Sequence, residues 1–142
     1  MRGRPLAPGT ARGQAFVLRE PLSLWGGLDP ASGILIDAHH PQRGAELAGR
    51  VLVMPAARGS SSSSSVLAEA ARAGNAPAAI LLGEPDLILA VGSVVAEELY
   101  GAGLPVVLLA ADELARIPHD AWVFVDADGG VELAGDVYPR RP

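Results

Sequence analysis

Arg50-Val51-Leu52-Val53-Met54-Pro55-Ala56-Ala57-Arg58-Gly59-Ser60-Ser61-Ser62-Ser63-Ser64-Ser65-Val66-Leu67-Ala68-Glu69-Ala70-Ala71-Arg72-Ala73-Gly74 is the stretch on which the fold turns. It opens with a short, β-branched apolar run, Arg50–Met54, of the kind that forms a buried strand. It closes with an amphipathic segment, Ser65–Ala73, that reads as a helix stopped by Gly74. The same alternation continues downstream, with a strand over Ala78–Leu82, a helix over Ser93–Tyr100 closed by Gly101, and a strand over Pro105–Leu109. Strand and helix in strict turn imply parallel strands joined by crossovers.

Upstream of Arg50 the pattern changes. Strands are expected at Gln14–Leu18 and Gly33–Ile36, joined by turns such as Trp25-Gly26-Gly27 and Asp29-Pro30, so the N-terminal half reads as strand after strand. Trp122–Val125 and, more weakly, Val131–Leu133 add two more, with Asp126-Ala127-Asp128-Gly129-Gly130 as the hairpin turn between them. The expected architecture is α/β: a β-rich layer packed on a partly parallel sheet whose other face is covered by helices. No repeat or linker divides residues 1–142, which suit a single domain. Tyr138–Pro142 reads as a frayed tail.

Composition removes whole classes of function. There is no Cys, so this chain offers no disulfide, no thiolate nucleophile and none of the usual ligands of an iron–sulfur cluster. All 11 basic residues are Arg, scattered along a chain of net charge −5, which argues against sequence-independent nucleic-acid binding. No run approaches the ~18 apolar residues of a membrane span, and Pro8, Gly9 and Thr10 stand where a signal peptide would have its apolar core. The expected compartment is the cytoplasm.

Three clusters are candidates for chemistry. The run Ser60–Ser65 is by composition a flexible linker, but it lies in the loop between a strand and a helix, at the carboxyl end of a strand expected to be parallel, where open α/β sheets bind ligands. Arg58 and Gly59 precede it, and successive N–H groups at a helix start make an anion site suited to a carboxylate or phosphate. No Gly-Lys-Ser/Thr follows, so this is not a nucleotide-binding P-loop. In His39-His40-Pro41 the adjacent imidazoles point apart and only His119 stands elsewhere, which disfavours zinc. A surface turn with one hydrogen-bonded His competes there with a pocket-lining acid or base. In Trp25-Gly26-Gly27 the glycines permit a turn, and Trp25 is core filler or a pocket wall, with the core reading ahead. Glu97 and Glu98 fit a solvated helix face.

Taken in order, Pro21-Leu22-Ser23-Leu24-Trp25-Gly26-Gly27-Leu28-Asp29-Pro30, Gly33, Ile36-Asp37, His39-His40-Pro41, Gly44, Gly49, Val51-Leu52-Val53 and Arg58-Gly59-Ser60 resemble the small swivelling subunit of aconitase X. Val66-Leu67, Ala76–Ile80, Gly92 and Leu104–Val107 continue the resemblance over most of the chain. It implies a swivelling β/β/α three-layer domain that closes over a large subunit carrying an iron–sulfur cluster, with no cofactor bound by this chain. It also implies a dehydratase in a heterodimer, acting on a small hydroxy acid: cis-3-hydroxy-L-proline first, 5-phosphomevalonate as the alternative. By the same resemblance Ser60 is the catalytic base; from the three clusters, Arg58, Gly59, Ser61, Ser62, Trp25, Gly26, Gly27, His39 and His40 are expected to meet the substrate. The expected face toward the large subunit comprises Trp25–Gly27, His39, His40 and the serine loop, without the Ser93–Tyr100 helix. Ser63 stands where the family commonly has Gly, Ser61 where it has Cys or Thr, and Ser62 where aconitase proper has Arg. A non-catalytic alternative is a swivelling module that binds a ligand or carries a phosphoryl group on His39 or His40.

Overall fold

The computed structural model describes residues 1–134; the tail expected at Tyr138–Pro142 lies outside them. Among them nine strands and three helices follow in the order β1 (Arg4–Ala7), β2 (Ala11–Val17), β3 (Leu28–Asp29), β4 (Ile34–Leu35), β5 (Val51–Met54), α1 (Ser63–Arg72), β6 (Ala79–Leu82), α2 (Leu87–Tyr100), β7 (Val106–Leu108), α3 (Ala111–Leu114), β8 (Trp122–Val125) and β9 (Val131–Leu133). Seven of the strands form one sheet in the order β1-β7-β6-β5-β2-β8-β9. Its centre, β2, β5, β6 and β7, is parallel, as the alternation predicts, and β1, β8 and β9 add antiparallel flanks.

The sheet curls until its ends meet. Ahead of β1, the Gly3 N–H donates to the Gly129 carbonyl (2.8 Å) and the Val131 N–H donates to the Met1 carbonyl (2.8 Å), so the first residues bridge to the turn before β9. The curl makes two β layers out of one sheet, α1 and α2 form the third layer, and α3 places Leu114 against the cluster inside the curl.

Alternation along the parallel strands divides the interior. Val51, Val53, Ala79, Leu81 and Val107 face the inside of the curl, where they meet Val123, Val125 and Val131. Leu52, Met54, Ile80, Leu82 and Val106 face the helices and pack with Leu67, Ala70, Leu89 and Ala96. Both faces are buried, which explains why these strands read as unbroken apolar runs.

The N-terminal half departs from expectation. Between β2 and β5 it is mostly irregular chain, with only the two-residue strands β3 and β4 paired as a small hairpin. Its apolar residues serve as a lid on the helix-side core: Leu22, Leu24, Leu28, Leu35 and Leu47 are all buried there. Their spacing reflects that one-sided cover rather than the period of a strand.

Trp25 is not core filler either: 61% of its surface is exposed, because Leu24 and Leu28 on either side take the inward positions. The helices also begin earlier than their apolar patterns suggest. α1 starts at Ser63, with three serines in its first turn, and α2 starts at Leu87 behind Asp86, whose carboxylate accepts the Leu89 N–H (3.0 Å) as an N-cap.

Candidate functional site

The loop from Arg58 to Ser63 leaves β5 at its carboxyl end and turns into α1. A single turn shapes it, with the Ser63 N–H donating to the Ser60 carbonyl (3.0 Å). The Ser64 hydroxyl donates to the Ser61 carbonyl (2.9 Å). Among the described residues the N–H groups of Ser61 and Ser62 donate to no protein acceptor, and the Arg58 guanidinium has no carboxylate partner. Free N–H groups at a helix start are suited to an anion.

Two elements hold this loop. Behind it, Gly92 of α2 lies so close to α1 that a Cβ there would sit 2.9 Å from the Ser64 carbonyl oxygen and 3.1 Å from Ser64 Cα. Gly92→Ala is therefore expected to push α1 and its serines outward and to cost about 1–3 kcal/mol of stability, as overpacking does. A urea melt with wild-type stability would show that the helices can separate freely.

Beside it runs the segment after β2. The Arg58 N–H donates to the Leu22 carbonyl (3.2 Å), and the Ser63 hydroxyl accepts from the Trp25 N–H (3.2 Å) and lies 3.4 Å from the Ser23 hydroxyl. The turn itself is closed by Gly27 and Leu28, whose N–H groups donate to the Leu24 carbonyl. Only glycine fits at 27, where a Cβ would meet the Ser23 carbonyl oxygen at 2.1 Å. Downstream, Asp29 is held below the usual carboxylate range by hydrogen bonds from the Ser32 hydroxyl and the Ala31 N–H.

The histidines occupy the other end of the same segment. His40 is 6% exposed, and its Nδ1 accepts from the Gln42 N–H (3.1 Å), so the proton resides on Nε2, which donates to the Glu20 carbonyl (3.1 Å). Gln42 completes the clasp by accepting from the Arg19 N–H (2.9 Å) and donating to the Val17 carbonyl (3.0 Å). His39 is exposed, and its N–H donates to the Asp37 carboxylate (2.9 Å). The structure thus joins Trp25–Gly27 directly to Arg58–Ser63. His39 and His40 reach that loop only through the backbone of residues 17–25.

Among the described residues, no group of three or more His, Asp or Glu is placed to hold a metal ion, and no helix is long and apolar enough to cross a membrane. Sequence reasoning passed over Ser23, Gln42 and the buried side chain of Ser63. Nothing in a polar run distinguishes the one serine that turns inward.

A family model described as the aconitase X swivel domain matches residues 1–133. The chain belongs to the aconitase X swivel family. Relatives of this swivel chain include a cis-3-hydroxy-L-proline dehydratase of Pseudomonas aeruginosa, 50% identical over 96% of the chain but only 23% of the relative. The chain therefore spans about a quarter of that protein's length. The phosphomevalonate dehydratase small subunit of Thermococcus kodakarensis is 34% identical over 96% of the chain and 97% of its own length. The swivel fold itself matches a crystal structure of Thermococcus kodakaraensis aconitase X in its holo form, with a TM-score of 0.82 and 36% identity over 93% of this chain and 95% of that one.

Proposed function

We propose that this chain is the swivelling part of a hydro-lyase, contributing the serine loop to a site completed by a large subunit, with cis-3-hydroxy-L-proline as substrate. The observation that carries this reading is the loop itself. A serine run that composition would class as a linker is a hydrogen-bonded turn at the carboxyl end of β5, with the free N–H groups of Ser61 and Ser62 in it and Arg58 three residues before Ser61 in the chain. The 50% identity to the Pseudomonas aeruginosa dehydratase supports the choice of substrate.

Ser60 is the proposed base. Its hydroxyl is a weak base unless the alkoxide is stabilised, and the N–H groups of Ser61 and Ser62 with the charge of Arg58 are the donors at hand. The Ser60 alkoxide takes the proton from the carbon bearing the substrate carboxylate; the hydroxyl on the neighbouring carbon leaves with its bonding electrons, a carbon–carbon double bond forms, and the proton passed on from Ser60 turns the departing hydroxide into water and restores the alkoxide. Arg58 and the loop N–H groups hold the carboxylate, while Trp25–Gly27 forms one wall. An iron–sulfur cluster falls to the large subunit, since this chain has no Cys to ligate it. Bound there, it supplies a Lewis acid for the departing hydroxyl.

Expression alone is expected to give a folded, colourless chain without dehydratase activity. Expression with its large partner should give a brown complex that dehydrates cis-3-hydroxy-L-proline. Turnover by the isolated chain would refute the shared site, and turnover of 5-phosphomevalonate in place of the hydroxyproline would overturn the substrate.

A further inference from the structure

Ser63 is the serine of the run that the substrate cannot reach. Its neighbours Ser60, Ser61 and Ser62 are exposed or half-buried, whereas Ser63 is 3% exposed. Its hydroxyl is not spent on capping, for Ser62 is the N-cap of α1 and no side chain caps that end. It is spent sideways, accepting the Trp25 N–H at 3.2 Å beside the Ser23 hydroxyl at 3.4 Å. Through its own backbone the same residue donates to the Ser60 carbonyl at 3.0 Å.

Two hydrogen bonds of one residue therefore run from the Trp25 turn to Ser60. The Trp25 indole needs such a tie: it is 61% exposed, so its place is set by the backbone beneath it and not by packing. That backbone is a tight turn about Gly27, anchored on the serine-loop side by the Arg58–Leu22 bond and by Ser63.

We propose that Ser63 is a positioning residue that locks the Trp25 turn to the serine loop, so that the indole wall and Ser60 are presented to the substrate as one rigid unit. This rests on the reading of Ser60 and Trp25 as site residues. The lock is a neutral hydrogen bond between two strand-end loops, and its loss lets the wall and the base move independently while the core beneath stays packed.

The test uses the assembled enzyme and the variants Ser63→Ala, Trp25→Ala and the double variant. Ser63→Ala, which keeps the buried volume but removes the acceptor, is expected to lower kcat/KM about threefold to tenfold, the size of one ordinary hydrogen bond. In the Trp25→Ala background the same change should add less than a factor of about two, because the side chain it positions is gone. Wild-type activity in Ser63→Ala, or losses that multiply in the double variant, would overturn the proposal.

Amide exchange at Trp25 provides a readout independent of turnover. In the wild-type complex the Trp25 N–H should exchange more slowly than the neighbouring Gly26 N–H, and Ser63→Ala should abolish the difference. Equal exchange in the wild type would overturn the lock without any variant. If Ser60→Ala proves neutral while Trp25 protection behaves as expected, the assignment of the base falls and the tie between the loops stands.

Discussion

Ser60→Ala in the assembled complex is expected to lower kcat by about a hundredfold to ten-thousandfold, the usual contribution of a positioned acid–base group. KM should change little, since the loop N–H groups and Arg58, proposed to meet the carboxylate, remain. The fold should not respond, because the Ser60 carbonyl, and not its hydroxyl, closes the turn to Ser63. Ser64→Ala is the control within the same run: its hydroxyl bonds the Ser61 carbonyl, so its loss should be felt in stability more than in turnover. Single-turnover measurements on the two variants separate the effects. Near-normal turnover by Ser60→Ala would move the base elsewhere, and exposed His39 would be mutated next. His40 is a poorer choice, with both ring nitrogens engaged by backbone.

Leu52→Ala is expected to cost about 2–5 kcal/mol, the range for truncating a large aliphatic side chain in a packed core. Leu52 is fully buried on the central strand β5, on the face that supports α1. It pairs with Phe16 of β2 and Ile80 of β6, so little can collapse into the space it leaves. Denaturation should show a lower midpoint in urea with an unchanged slope, the mark of lost stability without a changed unfolded state. Val91→Ala on the exposed face of α2 is the comparison, expected within about 0.5 kcal/mol of wild type. Equal losses at the two positions would mean that β5 does not lie between two buried layers.

The alternation after Arg50 made the parallel sheet legible because a strand buried on both faces leaves an unbroken apolar run and the two longer helices, α1 and α2, are followed by Gly74 and Gly101. The lid over residues 18–50 was not legible as a lid. Its leucines are buried against the helix-side core from chain that is mostly neither helix nor strand, and no period marks such a segment. β1 was missed because Arg4 and Pro5 disguise an edge strand, and α2 began early because Asp86, its N-cap, is a single polar residue behind Pro85. At the site, residue types and order pointed to the serine loop and to Trp25–Gly27, which the structure joins. The bond between them was invisible in the sequence, since it links a backbone N–H to one of six identical side chains 38 positions away.

The seam where Met1–Gly3 meets Gly129–Val131 bears on how the sheet guards its edges. An open seven-stranded sheet would present two rows of unpaired backbone, each a template for pairing with another copy. Here, among the described residues, the chain just ahead of the first strand is bonded to the start of the last, so the two edges converge. Resistance to edge-to-edge aggregation is thereby favoured by the path of the backbone itself.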